Sequence, residues 1–194
     1  MALLHQATIV PTKAELVSGW LPDQPWFDGT VAVARPVGAY RFDDPAGEVG
    51  IESHLFDVAG ELVHVPLTYR AQELPGAQEW LVGTMEHSVL GTRWVYDAVG
   101  DPVYRAELAR VIHEGDTQVR MVLQTPDGTV EREPTVLVRG SGEAGEGRVA
   151  VVRRPGSEQR TGAVLTGTWS GQDEPLVLAY LDTRLADRDG RLGS

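Results

Sequence analysis

The apolar positions of this 194-residue chain change their period several times, and each change marks an element. In PTKAELVSGWLP, Leu16, Val17 and Trp20 fall on one side at helical spacing. Thr12 and Glu15 form a T-x-x-E capping box, in which each residue satisfies a free amide of the other. The spacing predicts a helix of about two turns, stopped by Gly19 and Pro22.

From Gly29 the period becomes two. TVAVARPVGAYRF, EVGIESHLFDVAG and ELVHVPLTYRA predict successive strands, separated by the turn sequences DDPAGE and AGE. In the third, Val63, Val65, Leu67 and Tyr69 share one face, and His64, Thr68 and Arg70 share the other. That alternation predicts an antiparallel sheet with one wet side. Pro66 within the run points to an edge position or a bulge. A fourth strand is predicted from Trp80 to Leu90, interrupted at Gly83. In DPVYRAELARVIHEG a second helix follows: Asp101 is the N-cap and Pro102 sits at the first helical position. Tyr104, Leu108, Val111 and Ile112 form its apolar side, and Gly115 ends it.

Beyond Gly115 the chain reads as strands and turns. TQVRMVLQ and TVEREPTVLVR are joined by TPDG, a strong hairpin signal. RVAVVRR, AVLTGTW and PLVLAYLDTR then follow Gly-rich connections, which predicts a β-meander of about five strands. The reading is therefore an α+β fold, mainly antiparallel sheet with two short helices, followed by the meander. Its parts are residues 1–115, a meander over 116–186 packed on or beside them, and a frayed tail over 187–194.

Charge and composition narrow the function classes. Asp and Glu number 28 against 17 Lys and Arg, a net charge of −11, and Lys13 is the sole lysine. Such a surface repels phosphate backbones and anionic lipid, which argues against nucleic acid or membrane as partner. Cysteine is absent, which removes thiolate chemistry and fits a reducing compartment. The N-terminal residues lack the pattern of a signal peptide, and the apolar runs are too short for a membrane helix. The expectation is a cytoplasmic protein, with a homo-oligomer left open.

Candidate chemistry concentrates in GTMEHSVLGTRWVYDAVGDPVY. Glu86, His87, Arg93, Trp94, Tyr96 and Asp97 make up its candidate binding face. Adjacent residues of a strand point to opposite faces, so Glu86 and His87 do not form an acid–base pair on one reacting atom. The segment reads as a strand, a tight Gly91-Thr92 turn and an aromatic joint, with Tyr96 and Asp97 satisfying each other or nearby backbone. The five histidines, at 5, 54, 64, 87 and 113, lack metal-ligand spacing, so no metal site is expected. GSGEAGEG lacks the Lys and the following helix of a phosphate loop and reads as a hairpin connection. Asp43-Asp44 stands at a turn, where Asp bonds its own backbone. Trp20, Trp26, Phe27, Trp80, Trp94, Tyr96 and Trp169 read as core or as a joint between parts. No catalytic residue and no cofactor is expected, and the alternatives are a module that binds a sugar or apolar ligand and an enzyme acting through Glu86, Arg93 or Asp97.

MALLHQATIVPTKAELVSGWLPDQPWF, VGAYRFDDPAGEVGIESHLF, VPLTYRAQELPG and GTMEHSVLGTRWVYDAVGDPVY, in that order, resemble the N-terminal cap domain of actinobacterial maltokinases. They also resemble small free-standing proteins that carry that cap alone. The likeness covers about the first 115 residues. It implies a cystatin-like curved sheet with helices. In maltokinases this cap roofs a kinase body that phosphorylates maltose with ATP. No H-x-D catalytic segment is present, so no kinase residue carries over. The resemblance implies a noncatalytic accessory or regulatory role in maltose, trehalose or α-glucan (glycogen) metabolism, with a pathway enzyme or a sugar as partner.

Overall fold

The computed structural model describes residues 2–5, 7–30, 32–125 and 128–182. The predicted tail over 187–194 lies outside these residues. The class is α+β and mostly antiparallel, with two short α-helices and a strongly curled principal sheet. Among the described residues the strands are β1 (Ala2–His5), β2 (Ile9–Val10), β3 (Arg35–Asp43), β4 (Gly50–Val58), β5 (Glu61–Arg70), β6 (Leu81–His87) and β7 (Gly91–Asp97). They continue with β8 (Met121–Thr125), β9 (Gly128–Arg132), β10 (Val136–Gly140), β11 (Arg148–Val151), β12 (Val164–Trp169) and β13 (Gln172–Asp182). The helices are α1 (Lys13–Trp20) and α2 (Pro102–Glu114).

Both helices start where the caps predict. Thr12 accepts from the Glu15 amide while the Glu15 carboxylate accepts from the Thr12 amide at 2.7 Å. Asp101 accepts from the Val103 amide at 2.9 Å, and Gly115 closes α2 in the left-handed conformation, φ 65°. The end of α1 differs from expectation. Gly19 lies inside the helix, and Pro22 stands in a 3-10 turn, Leu21–Asp23, that continues it. Pro at the start of such a turn loses no hydrogen bond, so it prolongs the helix instead of ending it.

The principal sheet runs β2-β6-β7-β5-β4-β3. Its β4–β5 hairpin pairs in unbroken register from Gly50↔Tyr69 to Val58↔Glu61. Gly83 marks a register shift between β6 and β7, where an added Cβ would lie 2.8 Å from Leu16 of α1. The turn of this hairpin falls at residues 88–90, not at Gly91-Thr92. The aromatic joint is itself a strand, β7, because Thr92, Trp94 and Tyr96 alternate with Arg93 and Val95 at the strand period. Pro66 is neither on an outer strand nor in a bulge. β7 pairs β5 only over Leu67–Arg70, so Pro66 stands where that neighbour has already ended.

Both faces of the sheet are covered, which corrects the expected wet side. Val63, Val65 and Leu67 pack with Phe56, Val17, Trp20, Met85 and Val95 under α1. His64 and Thr68, expected in water, are fully buried. Tyr40, Phe42, Ile51 and Leu55 meet α2 on that side, together with Val136, Val138, Leu165 and Leu178. The C-terminal strands thus share the core of the sheet that precedes them. They do not run up and down in simple order: they form a four-stranded sheet β10-β12-β13-β11, while β8 and β9 join β1 in a separate one. TVEREPTVLVR is two strands in two sheets, parted near Pro134. Pro lacks the donor a continuous ladder would need there.

Candidate ligand cleft

On the α1 face the curled sheet leaves a cleft of about 750 Å³. Its charged floor is assembled by register. The β3–β4 pairing sets Arg41 opposite Glu52, and alternation on β4 puts His54 on the same face as Glu52. The Thr12 cap starts α1 at Lys13 and delivers that ammonium to the same carboxylate. Lys13 contacts Glu52 Oε2, Arg41 lies 3.8 Å from it and His54 Nε2 3.5 Å from it. Tyr69, on β5, shares a hydrogen bond of 3.1 Å with His54 Nε2 and lies beneath the Lys13 ammonium, 5.3 Å from the ring centre.

Glu52 is 8% exposed. Burial opposes its charge, but the His54 ring, the Lys13 ammonium and the Arg41 guanidinium outweigh burial and hold the carboxyl well below the usual range. Burial lowers His54, more strongly than Glu52 raises it. The floor at neutral pH is therefore a carboxylate between two cations, with a neutral imidazole behind it. Such a set can hold an anion beside the cations or orient a hydroxyl.

The residues singled out in the sequence fall in three places. Arg93 lines the cleft, with His87, next to Tyr69 and Met85. His87 Nδ1 accepts from the amides of Val89 and Leu90, at 3.3 and 3.1 Å, and so ties the β6–β7 turn. Glu86 is exposed and accepts from Thr92 Oγ1 at 2.7 Å. It is not brought to Arg93 or Asp97. Trp94 is half-buried opposite Arg70 and Thr84. Tyr96 and Asp97 are buried and do not satisfy each other. The Tyr96 hydroxyl accepts from the Leu74 amide at 2.8 Å, while Asp97 takes the guanidinium of Arg153. Adjacent strand residues point apart, so each needed its own partner.

Asp97 belongs to a second polar group, largely buried where residues 152–153 meet β5 and β7. Arg153 stacks over Trp26, 4.4 Å from the ring centre. His64 hydrogen-bonds Tyr40 at 3.1 Å and the Val152 carbonyl at 3.2 Å. Burial, with the nearby Arg153 charge, pushes His64 down to about 3. Burial raises the Asp97 carboxyl against the pull of Arg153. This group clamps the C-terminal residues 152–153 to β5 and β7.

Sequence reasoning missed Lys13, Arg41, Glu52, His54 and Tyr69 as a set. Part of the signal was there. DDPAGE closes β3 onto β4 so that Arg41 faces Glu52, and Glu52-x-His54 places two titratable groups on one face of a strand. The arrival of Lys13 from 39 residues away carried no such mark.

Residues 20–101 match the family described as the maltokinase N-terminal cap domain. The match spans β3 to β7 and ends at the Asp101 cap of α2, so most of α1 and the whole C-terminal sheet lie outside it. No curated protein matches the chain.

Proposed function

We infer that this protein is a noncatalytic accessory or regulatory partner of cytoplasmic enzymes that handle maltose, trehalose or α-glucan. The observation that supports this reading is the maltokinase cap match over residues 20–101, in a chain whose sheet is roofed on one face by α2 and β10–β13. A cap whose sheet is already covered by its own chain has settled its core internally, and its role is then in contacts made by its outer surfaces. The test is size-exclusion chromatography with maltokinase and the maltose- and trehalose-handling enzymes of the same cell. Co-elution at micromolar concentrations is the expected result. Separate elution from all of them contradicts the reading.

A second reading rests on a different observation, the cleft of about 750 Å³ with its built floor of Lys13, Arg41, Glu52 and Tyr69. That volume is within the range of small-molecule sites. Under this reading the protein binds a small hydroxylated ligand, and calorimetric titration with maltose, trehalose and maltooligosaccharides tests it. Absence of heat with every sugar rules out a neutral sugar as the occupant.

A further inference from the structure

We propose that the cleft holds a hydroxylated small molecule by a single oxyanion group, a phosphate or a carboxylate, seated against Arg93, Lys13 and Arg41. The proposal rests on the reading of the cleft as a ligand site and adds the chemical class of the ligand.

Charge placement carries the argument. The chain as a whole is strongly acidic, yet four of its 17 basic residues, Lys13, Arg41, Arg93 and Arg132, line this cleft, whose floor holds one buried carboxylate, Glu52. Lys13 and Arg41 share Glu52 between them. Arg93 is half-buried in the same wall and has neither an ion pair nor a hydrogen bond among the described residues. Among the described residues, the other guanidinium groups in comparably walled positions are engaged, Arg70 with Asp101 and Arg153 with Asp97. A guanidinium held half out of water without a partner has an unmet demand for an acceptor, and its planar fork matches the two oxygens of a carboxylate or phosphate.

The rest of the cleft limits the ligand. Gly50 stands beside Tyr69, where an added Cβ would lie 3.4 Å from the Tyr69 Cβ, so no side chain at position 50 covers the ring that carries the Lys13 ammonium. At the β3–β4 turn the lip is acidic. Asp44 spends both oxygens on the amides of Ala46, Glu48 and Val49, whereas Glu48 is exposed. An acidic lip beside a basic floor repels a second anionic group and accepts hydrogen bonds from hydroxyls. One oxyanion on a hydroxyl-bearing body satisfies both ends. A polyphosphate does not.

The experiment is isothermal calorimetry at low ionic strength with glucose 6-phosphate, gluconate and uncharged glucose, maltose and trehalose. It compares the unaltered protein with Arg93→Gln and with Arg160→Gln, a control in the connection between β11 and β12. A charged probe is expected to bind at least about tenfold more tightly than glucose, and Arg93→Gln to weaken it by about tenfold or more. Arg160→Gln is expected to change nothing. Binding of the phosphate ester alone, or of gluconate alone, identifies the source of the oxyanion. Uncharged sugars binding as well as the charged probes would leave the ligand cleft standing and overturn the oxyanion. Charged probes that bind Arg93→Gln undiminished also overturn it. No binding by any of the five probes overturns both.

Discussion

His54 and His64 stand ten residues apart on neighbouring strands of one hairpin, and they have opposite neighbours. His54 lies behind the cleft floor, beside Glu52, Lys13, Arg41 and Tyr69, and water reaches the cations. His64 looks the other way, into a dry space closed by Tyr40, the Val152 carbonyl and the Arg153 guanidinium. Both rings are buried and both are held neutral. The difference lies in what accompanies them. The cleft side keeps an excess of cations that touch solvent, so its charges remain available to a ligand. The other side keeps one carboxylate and one guanidinium, Asp97 and Arg153, which are spent on each other and leave no cation over. A polar group of the first kind is suited to binding. One of the second kind is suited to holding two parts of a chain together, and here it holds β5 and β7 to the strands after residue 150.

The sharpest way to break this contrast is Arg153→Met. It leaves Asp97 charged, buried and unpaired, and is expected to cost about 3–5 kcal/mol in urea unfolding. Adding Asp97→Asn should return much of that loss, because the uncompensated charge goes with it. A loss under 1 kcal/mol would show that the clamp is ornamental to folding.

Acid comes next. The folded-state pKa of His64 is depressed to about 3, while the unfolded ring titrates near its ordinary value of about 6.5. The unfolded chain therefore binds more protons throughout that window. Stability is fully present above about pH 6.5 and declines as the pH falls toward 3, by several kcal/mol in all. His64→Gln should flatten that decline in urea melts between pH 7 and 4. An unchanged slope would mean that Tyr40, Arg153 and the Val152 carbonyl do not keep the ring neutral.

On the cleft side the effects shrink. Glu52→Gln removes the carboxylate that Lys13 and Arg41 share, but both cations still reach water. The expected cost is about 1.5–3 kcal/mol, below that of Arg153→Met. Smallest of all is Arg93→Gln, expected to lie within about 0.5 kcal/mol of the parent in thermal unfolding, because no contact is lost. A large destabilisation there would show that Arg93 has a structural partner, and the two faces would no longer differ.

Much of the fold was legible because the signals are local. The Thr12–Glu15 box, the Asp101-Pro102 start and the Gly115 stop each act within one helical turn, and each appears where the chain places it. Alternation in ELVHVPLTYR set Val63, Val65 and Leu67 on one side correctly. The same alternation gave no sign that His64 and Thr68 would be dry, because what covers them comes from α2 and from strands 70 to 110 residues later. The candidate face was legible only in Arg93 and His87, which reach the cleft. Tyr96 and Asp97 were drawn inward by Leu74 and Arg153.

The helix caps and the β3 to β5 hairpin register follow from neighbours a few positions apart, and the acidic character follows from composition alone. Which polar residues are buried away from water and which face a cleft was settled by long-range packing. That choice depends on where α1 brings Lys13 and where the C-terminal strands bring Arg153, and burial, not residue type, sets the cost of each charge.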